Sequence, residues 1–446
     1  MIRPLTPRAQ QAVAALALLA AFAAAISTSA LLQHCRSAHS LTSTPSPQPP
    51  VVAPWTSAAA RDSESLQLQN DILLALSLPP DPAHSTAWRR GLHAMGLTRS
   101  APDPTASRFA TALTRQPPLP EPLLNSFLEI TVALFPTQLT SSVQHVATTT
   151  KSPKSFAIAI HYLTRNNPYA ARLWLPHITE RFPDARSHPI LSSILRQVES
   201  TASTSPPPPP PPLAELLHAP FAPGFPVIFS LQRHSRNWCG RAIVRLPDNS
   251  FARSPDGSLF SIPQLARSVS GLPGVITNGN TPQGLLAWHG FAISSNRFIG
   301  PTPNLQLSLP FEFPPRHFLL SSPDATSMTE DAYANLLPPS WRSWTPIWEA
   351  FHAGRAGRSE IIAHGTTIRP DWYATNPWHP VSPSHGCLTA MESWSPDNGT
   401  RTSSDQNDLV SLLRHHQLSD GYVMVVNISD DPFPVSPAEV TALLTP

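Results

Sequence analysis

Apolar positions change their rhythm twice along this chain. From Ala12 to Leu32 they run without a single charge, long enough to cross a bilayer as a helix, which takes about 20 apolar residues. Arg3 and Arg8 flank the run on its N-terminal side, which places that end in the cytoplasm and the bulk of the chain beyond the membrane. Two readings stay open: an uncleaved membrane anchor over 1–35, or a secretory signal cut near the small residues of "AISTSA", whose apolar core of roughly 7 to 15 residues would be shorter than this run. His39 to about Ala60 is mostly Ser, Thr, Pro and Ala. Such a composition buries too little apolar surface to fold, so a disordered tether is expected over 36–61.

From Asp62 to Thr201 apolar residues recur at helical spacing, as Phe156, Ala159, Ile160 and Leu163 do, and then Leu175, Ile178 and Phe182. Prolines punctuate the pattern into short helices. "SPKSFAIAIHYLTRN", "NPYAARLWLPHITERFPD" and "SHPILSSILRQVES" read either as successive units of a helical array or as parts of an irregular all-α domain over 62–201. Pro206 to Pro212 is an unbroken proline run, a stiff spacer that marks a linker over 202–220.

After Phe221 the pattern shortens to that of strands: "FPVIFSL", "RAIVRL", the Asp256-Gly257 turn of a hairpin, and the strongly apolar "DGYVMVVNIS". Ser327 and Glu330 form a capping box for an inserted helix, followed by Trp341, Trp344 and Trp348. The fold class expected is therefore multidomain: an N-terminal all-α region, then a mostly β domain with inserted helices over 221–446.

Composition sharpens this picture at two points. Lys151 and Lys154 are the only lysines and the net charge is +2. No element carries the clustered basic residues of a nucleic-acid binder, so nucleic acid is excluded as a partner. The cysteines are Cys35, Cys239 and Cys387. In an exported chain a Cys239–Cys387 disulfide is the plain reading, and it would bar Cys387 from chemistry. The odd count still leaves one thiol without an intramolecular partner. His34, directly before Cys35, is too bulky for a lipoprotein cleavage site.

Candidate chemistry gathers in "IIAHGTT", Ile361 to Thr367, and "PSHGCLTAMESW", Pro383 to Trp394. A thiol acts as a nucleophile in its thiolate form, and a nearby imidazole or backbone dipoles promote that form. Gly386 would let the backbone turn so that amides near Cys387 face a developing oxyanion. His364, His379 and His385 are the available bases. The same four side chains are chemically able to bind zinc, although their spacing matches no common zinc pattern. Cys239 reads as a small buried strand residue, and the Trp341–Trp344–Trp348 run as either core or a lid over a substrate groove.

"AHGTT" followed by "SHGC" resembles the active-site signature of the L,D-transpeptidase catalytic domain, the YkuD-like family. "TPQG", Thr281 to Gly284, is similar to the Thr-Pro-x-Gly hairpin upstream in that domain, and Tyr422 to Ile428 to its late apolar strand. The resemblance covers about Phe221 to Ser429. It implies a mostly β domain in which Cys387 is the nucleophile and His364 the base, oriented through the Gly365 carbonyl. His385 would shape the site, amides around Gly386 and Cys387 would form the oxyanion hole, and Ser384 and Thr366 would support them. Where the family usually has Arg or Asn two residues after the cysteine, this chain has Thr389, and the segment from His364 to Ser384 is longer than usual. Thr366, Thr389, Trp341 and Trp344 are the expected substrate contacts.

The family's reaction attacks a peptidoglycan peptide stem between its third residue and D-alanine, then passes the acyl group to another stem's amine as a 3→3 cross-link. Water as acceptor gives an L,D-carboxypeptidase, and a wall-binding protein with an inactive site is a further alternative. No cofactor is implied. The partners expected are peptide stems, the membrane at the N-terminus, and a protein recruited by the helical region, in the cell envelope or periplasm.

Overall fold

Proline starts helices in the N-terminal region as well as separating them. In a computed structural model, which describes residues 50–205, 209–220, 222–322 and 324–444, the first helices are α1 (Ala58–Ser77), α2 (Ser85–Thr98), α3 (Thr105–Thr114), α4 (Glu121–Leu134), α5 (Thr140–Thr149), α6 (Pro153–Thr164), α7 (Pro168–Arg181), α8 (Pro189–Ala202) and α9 (Leu213–His218). Pro153, Pro168 and Pro189 take the first helical position, where the missing N–H costs nothing. Ser152 and Asn167 cap the same turns, accepting from the amides of Ser155 at 3.2 Å and Ala170 at 3.0 Å. Helices pack in a staggered succession, α2 on α4, α4 on α6 and α6 on α8, with α3 on α5 and α1 on α2 beside them. From Ser155 to Thr164 α6 is buried on every side, which explains its apolar circumference. α1 and α2 approach closely because a Cβ on Gly91 would lie 2.4 Å from the Ala75 Cβ.

The remaining elements are β1 (Val227–Arg233), β2 (Gly240–Arg245), β3 (Ser261–Gln264), β4 (Gly284–Ala292), β5 (Asn304–Ser308), α10 (Pro315–Phe318), α11 (Glu330–Ala334), α12 (Glu349–Arg355), β6 (Ile362–His364), β7 (Leu388–Thr389), β8 (Glu392–Trp394), β9 (Arg401–Ser404), α13 (Asp405–His415), β10 (Asp420–Ser429) and α14 (Pro437–Leu443). The main sheet has the order β3-β2-β1-β10-β4-β5-β6-β7. β1 runs parallel to β10 with Val227 opposite Tyr422, and β6 parallel to β7 with Ala363 opposite Leu388; the other pairs are antiparallel. Leu265, just beyond β3, exchanges backbone hydrogen bonds with Thr389 of β7 at 2.8 and 2.9 Å, so the sheet nearly closes on itself.

Both faces of the sheet are covered, which is why β10 reads as an unbroken apolar run. Tyr422, Met424 and Val426 pack on one side with Phe318, Tyr333 and Phe351, while Val423 and Val425 pack on the other with Leu409, Val410 and Leu413 of α13. Each such side chain taken fully out of water contributes roughly 1.5–3 kcal/mol.

The two regions share a core. Leu265, Leu272, Ile276, Tyr373 and Trp378 of the β region belong to the same apolar cluster as the helices, and residues 51–444 form one compact unit. Three local expectations shift accordingly. Within the expected tether, Val52 pairs with Thr400, the Ala53 amide donates to the Gly399 carbonyl at 2.8 Å, and α1 begins at Ala58; tertiary pairing supplies what composition lacked. Within the expected proline linker, Leu216 and Leu217 of α9 are fully buried against the sheet. The inserted helix α11 is capped by Thr329, whose hydroxyl accepts from the Ala332 amide at 3.1 Å, rather than by Ser327. The anchor at 1–35, the tether up to residue 49 and Cys35 lie outside the described residues. Among the described residues no helix is long and apolar enough to cross a membrane.

Candidate active site

Parallel pairing of β6 and β7 brings the two His-Gly segments side by side. His364 ends β6 opposite Thr389, and Cys387 immediately precedes β7. Cys387 is half-buried, and its Sγ lies 3.8 Å from the Glu360 carbonyl oxygen. Burial raises the thiol pKa, offset in part by the Ile362 backbone, the Arg358 guanidinium and the Ser384 hydroxyl.

The turn before the thiol depends on glycine. Gly386 has φ +117°, and a Cβ there would fall 2.2 Å from a guanidinium nitrogen of Arg358 and 2.5 Å from the Gly279 carbonyl. Ser384 braces the turn from inside: its Oγ accepts from the Gly386 amide and donates to the Cys387 carbonyl, both at 3.0 Å. The Gly386 carbonyl points inward and accepts from Thr281 Oγ1 at 3.0 Å and Arg358 Nη2 at 3.2 Å. Arg358 is buried and also donates to the carbonyls of Gly274, Gly279 (2.9 Å) and Asn280 (2.7 Å), so it clamps the 274–281 segment to the nucleophile turn. Burial lowers its pKa to about 10, leaving it charged at neutral pH.

His364 is buried, and desolvation lowers its pKa to about 4, partly offset by the bond between its Nδ1 and the Gly365 carbonyl. A carbonyl only accepts, so Nδ1 carries the proton and Nε2 keeps the lone pair. Among the described residues no hydrogen bond joins this imidazole to the Cys387 sulfur. Gly365 is pressed against the Glu392 carboxyl: a Cβ at Gly365 would lie 2.1 Å from the Glu392 Cδ. Glu392 accepts from the hydroxyls of Thr302 and Ser404, and burial raises its pKa to about 7.

The other expected site residues fall into separate places. Thr366 is buried; its Oγ1 donates to the Phe298 carbonyl at 3.4 Å and accepts from the Ile368 amide at 3.1 Å. Thr389 donates to the Ser382 carbonyl at 2.8 Å, tying down the loop that leads to the nucleophile. His385 is exposed and stacks on His93 of α2, ring centroids 5.6 Å apart. His379 is an exposed loop residue, and among the described residues no cluster of His, Cys, Asp or Glu is arranged to hold a metal ion.

Trp341 is no lid. It is 1% exposed in the core against the sheet, its indole N–H donating to the Pro212 carbonyl at 3.3 Å. Trp344 is half-buried and lines a cleft that Cys387 does not reach. Cys239 and Cys387 are both free thiols, so the disulfide does not form; burial raises Cys239 to about 12.

Two contributors carried no sequence signal. Arg358 precedes β6 in "RAGRSEIIAH", where it looks like any surface arginine, and His93 reaches the site from the helical region. The longer loop after His364 is likewise held by that region: the Tyr373 hydroxyl donates to the Leu97 carbonyl at 2.8 Å, and the guanidinium of Arg99 lies 5.8 Å from the Trp378 ring centroid, with Arg267 of the sheet region closer at 4.2 Å. Set beside protein-family models, curated proteins and solved structures, the chain finds no match.

Proposed function

We propose that this protein is a cysteine acyltransferase of the L,D-transpeptidase type, acting on peptidoglycan peptide stems. The observation that supports it most is the Gly386 turn, which sets the Cys387 thiol at the head of β7 while the adjoining strand β6 ends in a neutral His364 whose Nδ1 is fixed on the Gly365 carbonyl.

In this reading Sγ attacks the carbonyl between the stem's third residue and D-alanine, and His364 Nε2 takes the thiol proton. The resting contact between them is open, and such contacts tighten once substrate binds. The Gly386 amide is committed to Ser384, so the Cys387 amide is the donor left to face the oxyanion. The tetrahedral intermediate collapses by breaking the C–N bond, with the His364 proton passing to the leaving D-alanine amine. A side-chain amine of a second stem then attacks the thioester, gives a proton to His364, and expels the thiol to form the 3→3 link. The uncharged N-terminal run, preceded by Arg3 and Arg8, supports placing this chemistry in the envelope on a membrane-held chain.

The test incubates the full chain, because its helices and sheet share one core, with disaccharide-tetrapeptide and follows products by mass spectrometry. Cross-linked dimers plus free D-alanine, both absent with Cys387→Ala, are the expected result. D-Alanine release without dimers would instead indicate the carboxypeptidase, and an unchanged substrate would refute both.

A further inference from the structure

A cleft of about 790 Å³ opens between α8 and the sheet region, apart from the thiol: Cys387, His364 and His385 do not line it. Its volume matches the few hundred to about 1,000 Å³ of pockets that hold ligands the size of a short peptide. The charges on its walls are unusual.

Arg236 is only 4% exposed and makes no ion pair among the described residues; the Glu349 carboxylate favours its charged form from beyond that distance. Its Nε donates to Asn427 Oδ1 at 2.8 Å and its Nη1 to the Ala266 carbonyl at 3.1 Å, while Nη2 meets no protein acceptor among the described residues. Arg196 of α8, across the cleft, is half-buried and makes neither a hydrogen bond nor an ion pair among those residues. Desolvation lowers both pKa values, Arg236 to about 10. Glu349 favours the charged form of both and Glu199 that of Arg196, but neither carboxylate is within ion-pair distance of them and burial still prevails; an entering anion would recover that cost through charge-assisted hydrogen bonds.

The acidic groups on these walls make their hydrogen bonds and ion pairs elsewhere. Glu349 accepts from the backbone amides of Gly274 at 2.8 Å and Gln283 at 2.9 Å, and Glu199 pairs with Arg186 at 2.9 Å. Thr281 also lines the cleft, and its hydroxyl holds the Gly386 carbonyl, so one wall of the cleft is continuous with the back of the nucleophile turn.

We infer that this cleft is a second ligand site, in which Arg236 and Arg196 hold the carboxylates of an acidic peptide next to the catalytic turn. The need for negative charge follows from the two arginines; the choice of a wall peptide as ligand rests on the function proposed above. Ligand seated there presses on the 274–281 segment that Arg358 and Thr281 join to Gly386.

Calorimetry on full-length Cys387→Ala protein, which binds without turnover, tests this with three probes: disaccharide-tetrapeptide, the same compound with its carboxylates amidated, and inorganic phosphate. Tetrapeptide binding that weakens about tenfold or more in Arg196→Gln, and again on amidation, is expected, the size of one charge-assisted contact. Arg236→Gln should do the same; if it fails to fold, Arg196→Glu carries the test from the half-exposed side. Equal affinity for the amidated peptide, or binding at the thiol alone that ignores both arginines, would overturn the inference. Phosphate binding at the same arginines as tightly as the peptide would overturn the peptide assignment. Because no product is formed, these outcomes are independent of whether Cys387 proves to be the nucleophile.

Discussion

The guanidinium of Arg358 donates to the Gly386 carbonyl at 3.2 Å, so a buried cation stands directly behind the residue that precedes the thiol. All its hydrogen bonds go to carbonyl oxygens, and no carboxylate within salt-bridge distance neutralises it among the described residues. Its charge is thus available to favour the Cys387 thiolate, against the burial that opposes it.

Arg358→Met should therefore shift the alkylation of Cys387 by iodoacetamide to higher pH, and Arg358→Lys should largely restore the wild-type profile. Leaving buried carbonyls without a donor should also cost at least about 1–3 kcal/mol of stability, which lysine restores only in part. In the wild type, a raised thiol beside an imidazole near pKa 4 is a neutral pair at pH 7. Alkylation should climb with pH and show no acid plateau, measured in a Cys35→Ser background with Cys239 inert through burial. A plateau below about pH 6 would mean a thiolate–imidazolium pair instead, and an unchanged Met profile would remove Arg358 from the electrostatics.

Glu392, wedged against Gly365, has its pKa raised from 4.5 to about 7 by burial. The folded state holds that proton more tightly than the unfolded one, so its contribution is full below pH 4.5 and is lost as pH rises through about 7. The amount at stake is on the order of 3 kcal/mol. Glu392→Gln cannot ionise and should flatten the decline between about pH 4.5 and 7 expected of wild-type unfolding curves. His161 and His364 act with the opposite sign: with folded values near 4, they cost stability as pH falls from 6.5 toward 4. Parallel wild-type and Gln curves across that range would show that Glu392 is ionised at neutral pH.

Trp341→Ala should cost about 3–5 kcal/mol, as for other buried aromatic side chains. Trp341→Phe should be milder and leave KM for the stem unchanged, whereas a lid residue would raise it. Thermal midpoints and KM together separate the two roles.

The helix and strand periods, the Asp256-Gly257 turn and the order of the His-Gly segments are properties of neighbouring residues, so they were legible in the chain itself. Phe156 to Leu163 became α6, "RAIVRL" became β2 and "DGYVMVVNIS" became β10 because runs this apolar, bounded by proline or turn residues, are buried as whole elements. That His364 and Cys387 act together was implied only through resemblance, and the strand pairing of His364 with Thr389 had no sequence signal.

Long-range placement was decided by tertiary structure alone. Nothing near Arg358 announces Gly386, 28 residues on, and nothing near His93 announces His385. Whether Trp341 is core or lid depends on which sheet face it meets, and whether Val51 to Arg61 folds depends on Thr400 and Gly399. Local propensity concerns a few dihedrals at a time. Charge, burial and the reach of a guanidinium act through space, and they exist only once the sheet has formed and the helices have packed against it.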